Sequence, residues 1–284
     1  MSADPIHLQP TAPLAERVLL PGDPGRALRL AQALLREPRM FNHHRGLWGY
    51  TGTAADEEPL TIQSTGMGGP SAAIVITELA TLGAQRLIRV GTCGALDPTL
   101  ELGDLVLARE AIPGDGASKA LGAAGRVKPH PELTDAIANA AGPDLRQGAI
   151  VSTDLFYDSE DITEDGALAV EMETATLFTI ATNKSLQAAS LLIVTDKGTS
   201  RLAADALTKT EQWAGEIATT ALLIDQAATN PSPWAPPAEP RKLQLPPTVP
   251  RPHCQTPAGQ SGPPPDQAHP RSPPGAGTPP ADGG

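Results

Sequence analysis

Leu87-Ile88-Arg89-Val90-Gly91-Thr92-Cys93-Gly94-Ala95-Leu96 is an apolar run that ends in a glycine-spaced turn and carries an arginine inside it. The apolar part, with Val90 β-branched, predicts a buried strand. Gly91 and Gly94 let the backbone turn sharply and come close to a ligand. An arginine at the end of a buried strand is costly unless an anion or an acid pairs with it. The stretch reads as the floor of an anion site.

Upstream, Thr65-Gly66-Met67-Gly68-Gly69-Pro70-Ser71 is a glycine-rich turn opening a helix over 71–83. Ala72, Ala73, Val75, Ile76, Leu79 and Leu82 supply its apolar face, with Glu78 and Thr81 outward. Strand, turn, helix and strand make a βαβ-like unit, whose strand-end loops hold ligands. Earlier still, the strand Arg17–Leu20 runs into Pro21-Gly22-Asp23-Pro24-Gly25-Arg26 and a helix that reaches Leu35. That turn is either structural or an anion cradle at a helix N-terminus, with Arg26 in the first turn. Neither turn is a nucleotide P-loop or a Gly-x-Gly-x-x-Gly fingerprint. Residues 47–53 and 60–65 predict a β-hairpin. The adjacent His43 and His44 point apart on a strand and have no further ligand at metal-site spacing, so no metal is expected.

Downstream, Gly103–Ala108 predicts a strand, 117–130 a loop, Pro131–Ala141 a short helix and Gly148–Ser152 another strand. Phe156 and Tyr157 then fall on a loop, in a chain that is only 3% aromatic, as a core plug or a stacking face. In Leu168-Ala169-Val170-Glu171-Met172-Glu173-Thr174-Ala175 two carboxylates flank a methionine where a strand meets a helix. They are helix caps, or acceptors for neutral hydroxyls with Met172 packed on an apolar ring face. Leu191–Asp196 is a buried strand ending in an acid, and partial desolvation at a strand end suits an acid to proton donation. Residues 203–229 predict a long amphipathic closing helix.

A net charge of −11 excludes a broad nucleic-acid surface and a polybasic membrane patch, so any anion site is a local cluster. Two cysteines, Cys93 and Cys254, allow no disulfide framework, and a reducing cytoplasm is the expected compartment. Neither a leader peptide nor a membrane span is indicated. Of 31 prolines, 18 fall in the last 55 residues. We therefore expect a folded domain over 1–229 and a disordered Pro/Gly-rich tail over 230–284, serving either a partner with an aromatic groove or solubility alone.

In order, Pro21-Gly22-Asp23-Pro24-x-Arg26, His44-Arg45-Gly46, Gly66-Met67-Gly68, Arg89-Val90-Gly91-Thr92-Cys93-Gly94, Ser152-x-Asp154-x-Phe156-Tyr157, Glu171-Met172-Glu173 and Thr195-Asp196 form a set. Together they resemble the nucleoside phosphorylases, a family that includes the hexameric bacterial purine nucleoside phosphorylases and the uridine phosphorylases. The resemblance covers nearly all of 5–229. It implies a three-layer α/β/α fold around a central mixed, partly barrel-like sheet. It also implies phosphorolysis of purine nucleosides, with inorganic phosphate as co-substrate and no cofactor, in a homohexamer whose sites are shared between subunits.

Residue by residue, the resemblance gives Gly22, Arg26, Arg89 and Thr92 to phosphate, with Arg45 supplied by a neighbouring subunit. Glu173 would accept from the ribose hydroxyls, Glu171 and Thr195 would also contact the nucleoside, and Met172 would pack on the sugar. Phe156 would stack on the base, and His7 of a neighbour would face the 5′-hydroxyl. Asp196, next to Thr195, would protonate the leaving purine, and Cys93 is demoted from nucleophile to packing residue. Two departures stand out. The family's purine branch has an arginine about a dozen residues after the acid; here that place holds Lys209, with Arg201 nearer. Only 12 residues separate Tyr157 from Val170, which leaves the wall of the base pocket short. Uridine phosphorylase is the nearest alternative, although 158–166 lack the glutamine and arginine that would grip uracil. A nucleoside hydrolase would not need the arginine cluster, and a non-catalytic scaffold would not need the acid.

Overall fold

The computed structural model describes residues 4–157 and 166–223. The expectations for the tail, for Cys254, for the uracil-gripping segment and for the last turns of the closing helix lie outside those residues. In chain order the first elements are β1 (Arg17–Leu20), α1 (Pro24–Leu34), β2 (Arg36–Asn42), β3 (Gly49–Thr53) and β4 (Pro59–Gln63). Then come α2 (Gly68–Leu82), β5 (Arg86–Ala95), β6 (Leu105–Pro113), α3 (Gly116–Ala120) and α4 (Pro131–Ala141). The chain continues with β7 (Arg146–Ser152), β8 (Ala167–Glu171), α5 (Thr174–Lys184), β9 (Gln187–Lys197), β10 (Ser200–Arg201) and α6 (Ala204–Ala221).

The strands form one mixed sheet in the order β10-β9-β6-β7-β8-β5-β1-β4-β3-β2. An additional β5–β9 pairing closes β5, β9, β6, β7 and β8 into a ring, so the sheet is part barrel and part open. β5 is the junction: it pairs in parallel with β1 and β9 and antiparallel with β8. Such a strand is covered on both faces and is apolar throughout, apart from what it presents to a site. One core, with Leu20, Val75, Leu79 and Phe178, lies under α2 and α5. The other, with Leu30, Ile137, Ile193 and Ile217, lies under α1, α4 and α6. The result is the expected three-layer α/β/α arrangement.

Two local readings change. Residues 117–130 are not all loop, because Asp115 caps α3 by accepting from the Ser118 amide. The segment before the hairpin also forms a strand, β2, despite its charged sequence.

Candidate active site

The site grows from the C-terminal ends of β1, β5 and β9. Arg89 is 5% exposed. Its Nε donates to Glu171 Oε2 at 3.0 Å, and its terminal NH2 lies 2.5 Å from Glu173 Oε2. Gly91 leaves room for it: a Cβ there would stand 2.7 Å from the Arg89 guanidinium carbon and push the side chain from this position. The glycine spacing thus lets the arginine fold back over its own strand. Burial works against the guanidinium's charge, but Glu173 and Glu171 more than offset this and hold it protonated.

The two carboxylates have different employment. Glu171 accepts five hydrogen bonds: from Arg89, from Ser152 Oγ, from the Glu173 amide and twice from the Thr174 amide. Ser152 Oγ in turn accepts from the Ala175 amide at 2.8 Å. The open N–H groups at the start of α5 are therefore met by Glu171 and Ser152 rather than by the cap residue itself. Glu173, at that cap position, is free to turn toward Arg89 and toward the amide of Gly68, 2.5 Å from Oε1. Gly68 has φ +82, a conformation that suits glycine and presents this N–H. Burial raises the Glu173 pKa, Glu171 adds to the rise, and Arg89 opposes it.

Beside this pair lies the Pro21–Arg26 turn. Asp23 caps α1 by accepting from the amides of Gly25 and Arg26, with Pro24 in the first turn. A Cβ on Gly22 would lie 3.9 Å from Arg89 NH1, so backbone and guanidinium border one space. Arg26 is buried, its Nε 2.7 Å from Glu211 Oε1 on α6, and its charge is felt at Glu173. Thr92 stands half-buried two residues after Val90, whose carbonyl accepts weakly from Arg26 at 3.4 Å.

On the adjoining strand, Asp196 pairs in register with Gly94. Thr195 Oγ1 donates to Asp196 Oδ2 at 2.8 Å, and Arg201 Nε lies 3.0 Å from Oδ1. The β10 hairpin brings Arg201 opposite Asp196. Between the two strands, burial pushes the Cys93 thiol far above its ordinary range, and its Sγ contacts the Ile193 carbonyl. A thiol held protonated in this way is no nucleophile.

His7 and Arg45 stand apart from this cluster. Among the described residues, no hydrogen bond or ion pair joins either to Arg89, Glu171 or Glu173. They are neighbours of each other instead, through His44 Nδ1 and the His7 carbonyl at 3.0 Å. Arg45 is exposed, with φ +58. Met172 is half-buried, and Phe156 and Tyr157 are exposed and in edge-to-face contact with each other. A cavity of about 420 Å³, lined by His130, Thr182, Ser185 and Gln187 among others, lies toward the start of β9, and none of the expected site residues borders it.

Sequence reasoning missed Glu211 and Glu78. Glu211 sits on the stripe Leu207, Glu211, Ala214, Ala218, Ala221, where helical spacing calls for an apolar residue, and that was a usable signal. Glu78, expected to face outward, accepts from the amides of Ile6, His7 and Leu8 and from His7 Nδ1. Its partners are backbone groups of an irregular segment, which no sequence pattern announces.

The chain matches the family described as the Phosphorylase superfamily over residues 16–224. A purine nucleoside phosphorylase DeoD-type of Geobacillus kaustophilus is 37% identical over 196 residues, 66% of this chain and 83% of the relative. One from Clostridium beijerinckii is 38% identical over 210 residues, 67% of this chain and 85% of the relative. Among solved structures, the uridine phosphorylase of Vibrio fischeri superposes with a TM-score of 0.67 at 28% identity, covering 74% of this chain and 92% of that one. By these matches the chain belongs to the phosphorylase superfamily and is an enzyme of the nucleoside phosphorylase type.

Proposed function

We propose that this chain catalyses the reversible phosphorolysis of purine ribo- or deoxyribonucleosides, giving free base and (deoxy)ribose 1-phosphate. The observation that carries this reading is the convergence of Gly22, Arg26 and Arg89 on one space beside Glu173, with Asp196 on the strand paired with β5. A phosphate oxygen attacks C1′ as the C1′–N9 bond breaks, and the bonding pair leaves with the base. Arg26, Arg89 and Thr92 orient the phosphate, whose charge stabilises the cationic sugar. Asp196 gives its proton to the purine at N7, and Arg201 stabilises the carboxylate left behind. That role falls to Arg201 rather than Lys209 because Arg201 Nε lies 3.0 Å from Asp196 Oδ1, placed to pair with the carboxylate that forms once the protonated acid has given up its proton.

Glu173 is the ribose acceptor. Glu171 stands behind it, its oxygens occupied by the protein, so its part is to orient Arg89 and α5 rather than to touch nucleoside. Met172 packs on the sugar and Phe156 stacks on the base. Arg45 and His7 belong to a second copy's site, a reading supported by the exposed Arg45 and by Ile6, Met67 and Ile74, exposed apolar side chains of the same region. A homohexamer in the cytoplasm is the assembly and place that fit.

The curated relatives favour purines, and the fold neighbour keeps uridine as the second reading. Inosine, adenosine and uridine, each incubated with and without phosphate, separate them. Ribose 1-phosphate from a purine nucleoside, only with phosphate, is the expected result. Its formation from uridine alone moves the assignment to the pyrimidine branch, and free ribose without phosphate overturns phosphorolysis.

A further inference from the structure

Glu211 is 1% exposed, on the face of α6 turned to α1. A buried carboxylate in a helix stripe otherwise lined by alanine, leucine and glycine costs stability unless it is fully paired. It is paired twice. Oε1 accepts from Arg26 Nε at 2.7 Å, while Arg29 reaches Oε2 from its Nε at 2.9 Å and Oε1 from NH2 at 3.1 Å. The pairing with Arg26 is made at the root of the guanidinium fork, not at its tips.

We propose that Glu211 is the positioning residue of the phosphate site. By holding Arg26 through Nε–H, it fixes the plane of the guanidinium and leaves NH2, together with an NH1 that the Val90 carbonyl engages only weakly at 3.4 Å, for the anion. Two parallel N–H groups from one rigid fork recognise phosphate oxygens only when the plane is correctly set. Arg29 holds the other side of the same carboxylate, so Glu211 cannot swing away from Arg26. The site thus draws on the last helix of the domain, far in sequence from any phosphate-contacting motif. This inference rests on the reading of Arg26 as a phosphate ligand.

The experiment compares full-length wild type with E211A, E211D, E211Q and R26A in the phosphorolysis assay. A second readout is the rise in Tm produced by inorganic phosphate alone, since a ligand that binds only the folded state raises Tm. E211A and E211D are expected to raise the phosphate KM about tenfold or more while the nucleoside KM stays within about twofold. They should also shrink the phosphate-induced rise in Tm. E211Q, whose side-chain carbonyl still accepts from Nε–H, is expected to recover most of both. Should E211A fail to fold, the shortened carboxylate of E211D carries the test. Unchanged phosphate KM in a folded E211D, or equal rises in both KM values, overturns the positioning role. Unchanged phosphate KM in R26A overturns the underlying assignment of Arg26 instead, so the two failures are told apart.

Discussion

The two ends of the parallel strands treat buried arginine in opposite ways. At the N-terminal end, Arg17 grips Asp56 through NH1 and NH2 and gives its Nε to the Pro59 carbonyl, so the whole fork is consumed by one acid and one carbonyl. Nearby, Arg86 is divided between the Gln187 side chain and the Leu222 carbonyl. At the C-terminal end, Arg26 and Arg89 face three buried carboxylates, Glu171, Glu173 and Glu211, each engaged at Nε or by a single terminal nitrogen. The first arrangement ties a strand to a loop. The second engages each guanidinium through only part of its fork, with Arg89 NH1 beside Gly22, and N–H donors of a charged fork are what an anion binds.

Four measurements strain that contrast, in descending order of expected effect. Arg89→Ala leaves Glu171 and Glu173 without their cation, and should cost about 3–5 kcal/mol in denaturant unfolding with no measurable turnover. Turnover near wild type would mean that the second arrangement is structural after all. Asp196→Asn keeps an acceptor for Arg201, with the Thr195 hydroxyl turned to accept from the new amide, but removes the proton donor, and should slow purine release about 10²–10⁴-fold with little change in stability. Equal turnover in variant and wild type would remove Asp196 from the chemistry.

Arg17→Ala breaks a partly buried pair at the other end, and should cost about 1–3 kcal/mol while KM and kcat of the folded protein stay at wild-type values. A kinetic defect there would erase the contrast. Glu173→Gln probes it by pH. Because the folded-state pKa of Glu173 lies above the ordinary 4.5, the native protein retains a proton the unfolded chain has released, and stability falls as pH rises through that interval. The glutamine variant should show a shallower fall over the same range. An unaltered pH profile of Tm would show that Glu173 titrates normally.

Much of this was legible in the chain. The apolar run into Gly91, the Pro-Gly-Asp-Pro turn and the amphipathic α4 are local patterns, and their elements form where periodicity and turn residues put them. What stayed hidden depends on distant partners. β2 carries Arg36, Glu37, Pro38 and Arg39, which disfavour a strand until β3 pairs with it. The closure of β5 on β9 is a pairing across about a hundred residues of chain that no local pattern encodes. In the site, residue types were readable but not their division of labour: only the packing shows that Glu171 serves Arg89 and α5, leaving Glu173 available. Glu211 was legible in principle, as a charge on an apolar stripe, and its partner was not.

The sheet's two margins carry a consequence for solubility. On one side β10 is two residues long. On the other, β2 is interrupted by register shifts, carries a proline, and turns through a positive φ at Glu37. The closed ring removes the remaining free edges. Sheet margins that are short, bulged and charged resist strand addition between molecules. Edge-to-edge pairing is therefore disfavoured at both margins of the described sheet, which leaves helix and loop surfaces as the readier contacts between copies of this protein.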